Sequence, residues 1–379
     1  MNTRFGFLAS ILLAAGCASS APFTGKVIVV GAGPAGMTAA YRLQRAGIEV
    51  EVLETNSTHG GRIRDNSEFA DFPLPLGGEW VHVERAILAE ILNDPSVKLD
   101  TELVSYGPED QVAYVDGDVT YAALEPNVFD GDLKFRGSSW LGFFNRYVVP
   151  SIEGSFRFNT QVIEIDRTGD RVVLTDATEN TYEADRVIVT VPLKVLQRGD
   201  IRFVPELESK RRQVIQDAVV WSGLKAFFVF REQFYPEAIA FPDSAEISGE
   251  RLFYDAAYGQ DSELHVLGLF SVGAQAEAYQ ALSEDSFRES VLQELDDAFD
   301  GAASRLYVRH IVQNWNVEPF AGAAYLSSYE DTSVSKRLAE SIDDQVYFAG
   351  DAYTTFDDWG SVHAAVRSAI EASEEVMRQ

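Results

Sequence analysis

Short unbroken apolar runs and helical stripes alternate along most of this chain. Val27-Ile28-Val29-Val30 ends at a glycine-rich turn, Gly31-Ala32-Gly33-Pro34-Ala35-Gly36. An apolar run bounded by glycine predicts a strand buried on both faces, and Met37 to Ala46 then predicts a helix. Ile48 to Leu53 reads as a second strand, closed by Glu54. A helix is expected over Glu84 to Leu92, and short strands around Gln111 to Ala122, broken by Asp-Gly turns. Gly154 to Ile165 and Arg171 to Thr175 are extended patterns. Asp185 to Val191 is a nearly continuous apolar run, as for a strand inside a sheet. Leu224 to Phe230, Leu252 to Ala256, Leu264 to Val272 and Leu306 to Gln313 read as strands of an antiparallel sheet. A helix from Asp285 to Phe299 would pack on that sheet, and Gln345 to Gln379 would return to the first unit.

The first strand, turn and helix carry chemistry. Gly31 permits a tight turn, Gly33 lets backbone approach a pyrophosphate, and Gly36 lets helix and strand pack closely. The helix start, with Pro34 and Ala35, offers unpaired N–H groups and the positive end of a dipole. Glu54 stands where a carboxylate accepts hydrogen bonds from a ribose. Strand, turn, helix and acid together predict a bound dinucleotide.

Composition narrows the partners. The formal net charge is −28, which argues against nucleic acid, since phosphate contacts need a basic surface. An acidic surface can instead steer cationic molecules toward a cleft, or serve simply as a solvated coat. Residues 1 to 21 have the charged, apolar and small-residue zones of an export signal, with Arg4 ahead of an apolar run from Phe5 to Ala15. The run is too short to span a bilayer. Leu13-Ala14-Ala15-Gly16-Cys17 is similar to a bacterial lipoprotein signal, which would lipidate Cys17 and anchor the protein to a membrane. Ordinary cleavage after Ala18 is the alternative, and a non-exported start is the third. Cys17 is the only cysteine, so no intramolecular disulfide forms. His59, His265 and His310 show no metal-ligand spacing, and no nucleophile elbow is present.

Further motifs follow in a fixed order. They are Gly60-Gly61-Arg62, Leu76-Gly77-Gly78-Glu79-Trp80-Val81-His82, Thr190-Val191-Pro192-Leu193 and Asn314-Trp315. Then come Val346-Tyr347-Phe348-Ala349-Gly350-Asp351 and Trp359-Gly360-Ser361-Val362-His363. From about residue 24 to the end, this set resembles the flavin-containing amine oxidase family, closest to its polyamine oxidases. The resemblance implies an α/β fold in which a Rossmann-like FAD-binding domain is intertwined with an α+β substrate domain built on an antiparallel sheet. It places residues 24–82, 151–200 and 335–379 in the FAD domain, and 83–150 and 201–334 in the substrate domain, here shortened. It implies that Gly60, Gly61 and Arg62 touch the flavin diphosphate, and that Asp351 after Gly350 binds ribityl or pyrophosphate oxygens. Val162 would pair with the adenine. Gly77, Gly78, Glu79, Trp80, Trp315, Ser361 and Val362 would lie along the rest of the cofactor. A NAD enzyme needs neither the Gly-Gly-Arg turn nor the C-terminal half of this site.

Lys225 lies on a strand otherwise built of apolar residues, where a lone ammonium is costly unless it snorkels or has a function. The resemblance implies that it holds a water at flavin N5. His82 would accept a hydrogen bond from the substrate amine, Glu79 would anchor a distal ammonium, and Tyr325 would form one wall of an amine cage. The opposite wall would come from position 361, where Ser361 is not aromatic, leaving Trp359 as a possible substitute. Ala324 occupies the place of the cysteine that bonds flavin in monoamine oxidases, so the FAD is expected to be non-covalent. The partners implied are a small-molecule amine and O2. The rivals are an amino-acid oxidase, for which Arg136, Arg146 or Arg157 would supply a carboxylate partner, a desaturase on the same fold, and a non-catalytic flavin-binding protein.

Overall fold

A computed structural model describes residues 23–378 apart from 125–127, 130, 242–247, 328–332, 356–357 and 359. The expected export segment with Cys17, and Trp359, lie outside the described residues. A five-stranded, all-parallel sheet forms the first layer. Its spatial order is Val346–Phe348, Arg186–Val189, Lys26–Val30, Glu49–Leu53, Phe156–Arg157. Helices Pro34–Arg45 and Val362–Arg378 cover one face of it, packing on each other and on Val27, Val29 and Ile188. Ile28, Val30, Val187 and Val189 point the other way into a second core. This explains the unbroken apolar runs: the central strands Lys26–Val30 and Arg186–Val189 are buried on both faces. A four-stranded sheet, ordered Thr181–Ala184, Val172–Asp176, Val162–Asp166, Arg202–Val204, packs into that second core.

The second unit is a seven-stranded sheet. Its order is Tyr307–Asn314, Gly223–Phe230, His265–Gly273, Gly249–Asp255, Ala238–Ala240, Gln111–Asp116, Asp118–Ala123. All its pairings are antiparallel except that of Ala238–Ala240 with Gln111–Asp116. Helices Ala274–Gln280 and Glu284–Ala298 bury Ala276, Tyr279, Phe287, Val291 and Leu295 against one face. Ser283 caps the longer helix, accepting from the Ser286 N–H. The other face receives Leu74, Leu76 and Trp80 from the glycine-motif segment. The α/β architecture is therefore as expected, with Rossmann-like and antiparallel units interleaved along the chain.

The domain boundaries need correction at two places. Segment 83–150 does not belong wholly to the substrate unit. Its helix Ala86–Leu92 turns Ile87, Leu88, Ile91 and Leu92 into the first core, as do Trp140, Phe143, Phe144 and Val148 from the helical segment that follows. Among the described residues of this stretch, only Gln111–Asp116 and Asp118–Ala123 join the seven-stranded sheet. Residues 201 to 218 likewise stay with the nucleotide-binding unit, through strand Arg202–Val204 and Ile215 of helix Ser209–Asp217. The reason is the same in both cases: the apolar stripe of a short helix is satisfied by the nearest open core, whatever the chain does next. Among the described residues, no helix is long and apolar enough to cross a membrane.

The turn after strand Lys26–Val30 admits nothing larger than glycine at one position. A Cβ on Gly36 would lie 1.9 Å from the Gly31 carbonyl oxygen and 3.0 Å from Thr190 Oγ1. Gly36→Ala is therefore expected to cost roughly 1–3 kcal/mol through overpacking, read as a lowered urea midpoint. Gly154→Ala, where a Cβ meets nothing within 4 Å, should leave the midpoint unchanged.

Candidate active site

One cavity of about 670 Å³ runs from the glycine turn to the seven-stranded sheet. At its first end Glu54 is fixed by its neighbours. Oε2 accepts from the Ala32 N–H at 2.7 Å, and Oε1 accepts from the backbone N–H and side-chain amide of Asn56 at 2.8 and 2.7 Å. Three of the carboxylate's roughly four acceptor sites are thereby used and one stays open on Oε2, and Glu54 lines the cavity with Asn56, Thr160 and Val162. Space is open where a Cβ on Gly33 would sit, and Gly33 with Pro34 and Ala35 faces the cavity at the start of helix Pro34–Arg45. The Gly60-Gly61 turn lies against this one: the Gly60 N–H donates to the Ala32 carbonyl at 2.8 Å, and a Cβ on Gly61 would stand 3.3 Å from Gly33 Cα.

Arg62 spans the middle. Its guanidinium forks onto the Asp351 carboxylate and also donates to the Ala324 carbonyl. Arg62 and Asp351 both line the cavity beside Gly350 and Gly33, a backbone-rich strip that suits a diphosphate. Farther along, Gly77 passes under Arg62, where a Cβ would stand 1.9 Å from the Arg62 carbonyl oxygen, and Trp315 Nε1 donates to the Leu76 carbonyl at 3.0 Å. Gly78 abuts Val362, the first residue of the last helix. Ser361 caps that helix, its Oγ accepting from the Ala364 N–H at 3.1 Å. These residues form an elongated cradle with the Glu54 carboxylate at one end and helix starts beside its middle and far end. Its donor set and its glycine-lined approaches fit FAD.

Beyond the cradle lies a buried charge cluster. Lys225 Nζ donates to Glu79 Oε2 at 2.7 Å and to the Pro75 carbonyl at 3.3 Å. It sits 5.0 Å from the Trp80 ring centroid. Tyr254 donates to the same Glu79 oxygen at 2.5 Å, and Lys134 Nζ is 3.4 Å from Oε1. Lys225 is thus neither snorkelling nor alone. Burial pushes its pKa down, against the pull of Glu79. Burial works to raise the Glu79 carboxyl, yet the two lysine charges and the Tyr254 hydrogen bond leave it below the usual carboxylate range. This corrects one expectation. Glu79 is no anchor for a distal substrate ammonium, because its carboxylate is already shared by two lysines and a tyrosine.

His82 lines the cavity with its Nδ1 2.8 Å from Asp132 Oδ1 and its ring 6.1 Å from that of His363. His363 Nε2 lies 3.1 Å from Asp358 Oδ2, which also pairs with Arg367. Tyr325 lines the cavity against Gly360, whose lack of a Cβ leaves room for its ring. Ser361 offers a helix cap rather than a cage wall. Phe129, Phe270 and Trp80 contribute aromatic surface from other directions. Sequence reasoning did not single out Lys134, Tyr254, Asp132, Asp358 or Asp65. The signal for Lys134 was available: like Lys225, it stands between apolar neighbours, Leu133 and Phe135. Tyr254 and the three aspartates carry no motif. Among the described residues, no cluster of histidine, cysteine and acids could hold a metal ion.

Asp65 sits behind the cluster, accepting from Ser139 Oγ. Burial pushes its pKa up to about 6. The folded protein therefore holds a proton that the unfolded chain releases nearer pH 4. Stability is lost as pH rises across that window, by roughly 3 kcal/mol from this group. Asp65→Asn removes the titration. Relative to this variant, the wild type should be more stable at pH 4.5 than at pH 7.5 in urea unfolding.

Comparison with known proteins agrees with this geometry. Residues 144–377 match the model of the flavin containing amine oxidoreductases, and residues 29–94 match that of an NAD(P)-binding Rossmann-like domain. The chain is similar to polyamine oxidase 4 of Oryza sativa subsp. japonica, 25% identical over 93% of this chain and 89% of the relative. It is also similar to mouse (Mus musculus) lysine-specific histone demethylase 1B, 24% identical over 86% of this chain and 50% of that protein. Among solved structures, a triple mutant of putrescine oxidase superposes with a TM-score of 0.78 over 93% of this chain and 98% of that one, at 16% identity. Wild-type putrescine oxidase bound to putrescine gives 0.76 over 93% and 99%. With the family model covering more than half of its length, this chain belongs to the flavin-containing amine oxidoreductases, as an FAD-dependent enzyme acting on amines.

Proposed function

We propose that this enzyme is a polyamine-type oxidase. The observation that carries the reading is continuity: one cavity joins the FAD cradle to Lys225, His82 and Tyr325. Bound FAD would supply the redox chemistry, taking hydride from the amine α-carbon at N5 and passing the electrons to O2, which leaves as hydrogen peroxide. The protein's task is to orient and deprotonate the amine. Asp132 on Nδ1 favours the His82 tautomer whose Nε2 carries a lone pair, the form that accepts an ammonium proton. Tyr325, Phe270 and Trp80 give the alkyl chain an apolar path. Lys225 supplies a donor at the ring end of the cradle.

The polyamine preference rests on the acidic chain, on carboxylates at the cavity wall (Asp132, Asp358) and on relatives named polyamine oxidases. An amino-acid oxidase is disfavoured by the arginines. Arg136, Arg146 and Arg157 are exposed, are paired with Glu102, Asp100 and Glu51, and do not line the cavity. Ala324 at the cavity wall offers no thiol for a bond to flavin, which supports a non-covalent cofactor.

Two measurements test this reading. Anaerobic addition of spermidine, spermine or putrescine should bleach the flavin absorbance within seconds, and admitting O2 should restore it with one peroxide per turnover. Bleaching only by amino acids, or by no amine, would refute the assignment. Acid precipitation should leave all the flavin in the supernatant; yellow pellets would show a covalent link.

A further inference from the structure

The buried cluster holds one more cation than the proposed reaction uses. Lys134 is fully buried, at 2% exposure, yet it lies on a short strand, Leu133–Phe135. Its Nζ donates to the carbonyls of Asp255 and Ala256 at 3.1 and 3.2 Å, stands 5.5 Å from the Tyr254 ring centroid, and reaches Glu79 Oε1 at 3.4 Å. The strand is tied to the glycine-motif segment by reciprocal Val81 and Leu133 backbone bonds of 2.8 and 3.0 Å. The pairing is therefore built into the fold.

Charge counting gives Lys134 its purpose. Lys225 and Glu79 alone, 2.7 Å apart, form a neutral pair, and a neutral pair gives little stabilisation to negative charge gathering on a neighbouring ring. Two ammonium groups sharing one carboxylate carry a net positive charge. Two other acids feel these lysines, Asp65 on the Lys225 side and Asp255 on the Lys134 side, and burial pushes the pKa of each up to about 6, so that below this pH neither cancels an ammonium charge. Asp65 accepts from Ser139, and an Asp255 carboxylate oxygen accepts from the Ala257 N–H at 3.0 Å. Among the described residues, neither forms an ion pair with either lysine.

We propose that Lys134 is a positioning residue for the flavin chemistry: by sharing the Glu79 carboxylate, it leaves the Lys225 side of the cluster net positive toward the flavin ring. The inference rests on the reading of Lys225 as the ring-end group. Lys134 does not line the cavity and acts through Glu79. Positive charge beside the ring favours its reduced, anionic form, so the flavin midpoint potential reports the effect without turnover.

The test compares FAD-loaded wild type, Lys134→Met and the double variant Lys134→Met/Glu79→Gln, by dye-equilibrated reduction at pH 5, where Asp65 and Asp255 are mostly protonated. Lys134→Met leaves Glu79 cancelling Lys225. Its reduction equilibrium should fall on the order of tenfold, about 30 mV for a two-electron couple. The double variant removes one charge of each sign and should return the potential to near the wild-type value. A purely structural role for Lys134 would not be rescued by Glu79→Gln. An unchanged potential in Lys134→Met, or a double variant that stays low, overturns the proposal. Should Lys134→Met fail to hold FAD, the double variant decides alone, since a lowered potential there is equally fatal. Failure of the functional reading is distinguishable. Wild-type protein without FAD would sink both, whereas FAD that no amine bleaches would sink the substrate assignment and leave the potentials to decide this one.

Discussion

Two lysines share one carboxylate in the buried space between the nucleotide-binding unit and the seven-stranded sheet. Removing any charge from water costs several kcal/mol, and only close pairing with hydrogen bonds to the remaining atoms offsets it. Here the pairing draws on four separate stretches of chain. Glu79 comes from the glycine-motif segment, Lys134 from a short strand, and Lys225 and Tyr254 from neighbouring regions of the large sheet. Gly268 completes the arrangement from the strand paired with both: a Cβ there would lie 2.6 Å from the Tyr254 ring, so glycine makes room for the hydroxyl to reach Glu79. Because losing one member strands the others, the cluster works as a lock that forms only when both units are in place.

The same interdependence governs the cradle. Its parallel sheet is assembled from strands near residues 28, 51, 157, 187 and 347, so its closure depends on contacts between distant parts of the chain. Backbone then meets backbone at Gly36 and Gly77 without side chains between, and Arg62 bridges to Asp351 across 289 positions of sequence. In this structure Arg62 and Asp351 satisfy each other. A diphosphate placed there meets a guanidinium already oriented by a carboxylate, which preserves its geometry and moderates its charge.

How much of this was legible in the sequence depended on whether the information was local. The strand-turn-helix start, Glu54 and the four long strands of the substrate sheet were readable because burial on both faces, or alternation, leaves a periodic trace. The boundaries failed at 83–150 and 201–218 because the destination of a short amphipathic helix is not written in its stripe. Lys225 announced itself through the cost of an ammonium among apolar residues. Glu79 was misread, since nothing in Gly-Gly-Glu-Trp tells an exposed turn carboxylate from one neutralised by Lys134, 55 residues later, and by Lys225. Asp132 beside His82, and Asp358 beside His363, were invisible for the same reason: a pairing made by tertiary structure leaves no spacing to read.

Two kinds of electrostatics therefore coexist in the enzyme, and they respond differently to the solvent. The surface excess behind the net charge of −28 acts over distances comparable with the Debye length of about 8 Å at physiological ionic strength. It raises the local concentration of a cationic amine and weakens as salt is added. The carboxylates at the cavity wall are already engaged: Asp132 accepts from the His82 ring, and Asp358 pairs with Arg367 and lies 3.1 Å from His363 Nε2. The buried Lys225–Glu79–Lys134 cluster is screened far less by mobile ions. Salt thus bears on the encounter with an amine more than on the field around Lys225.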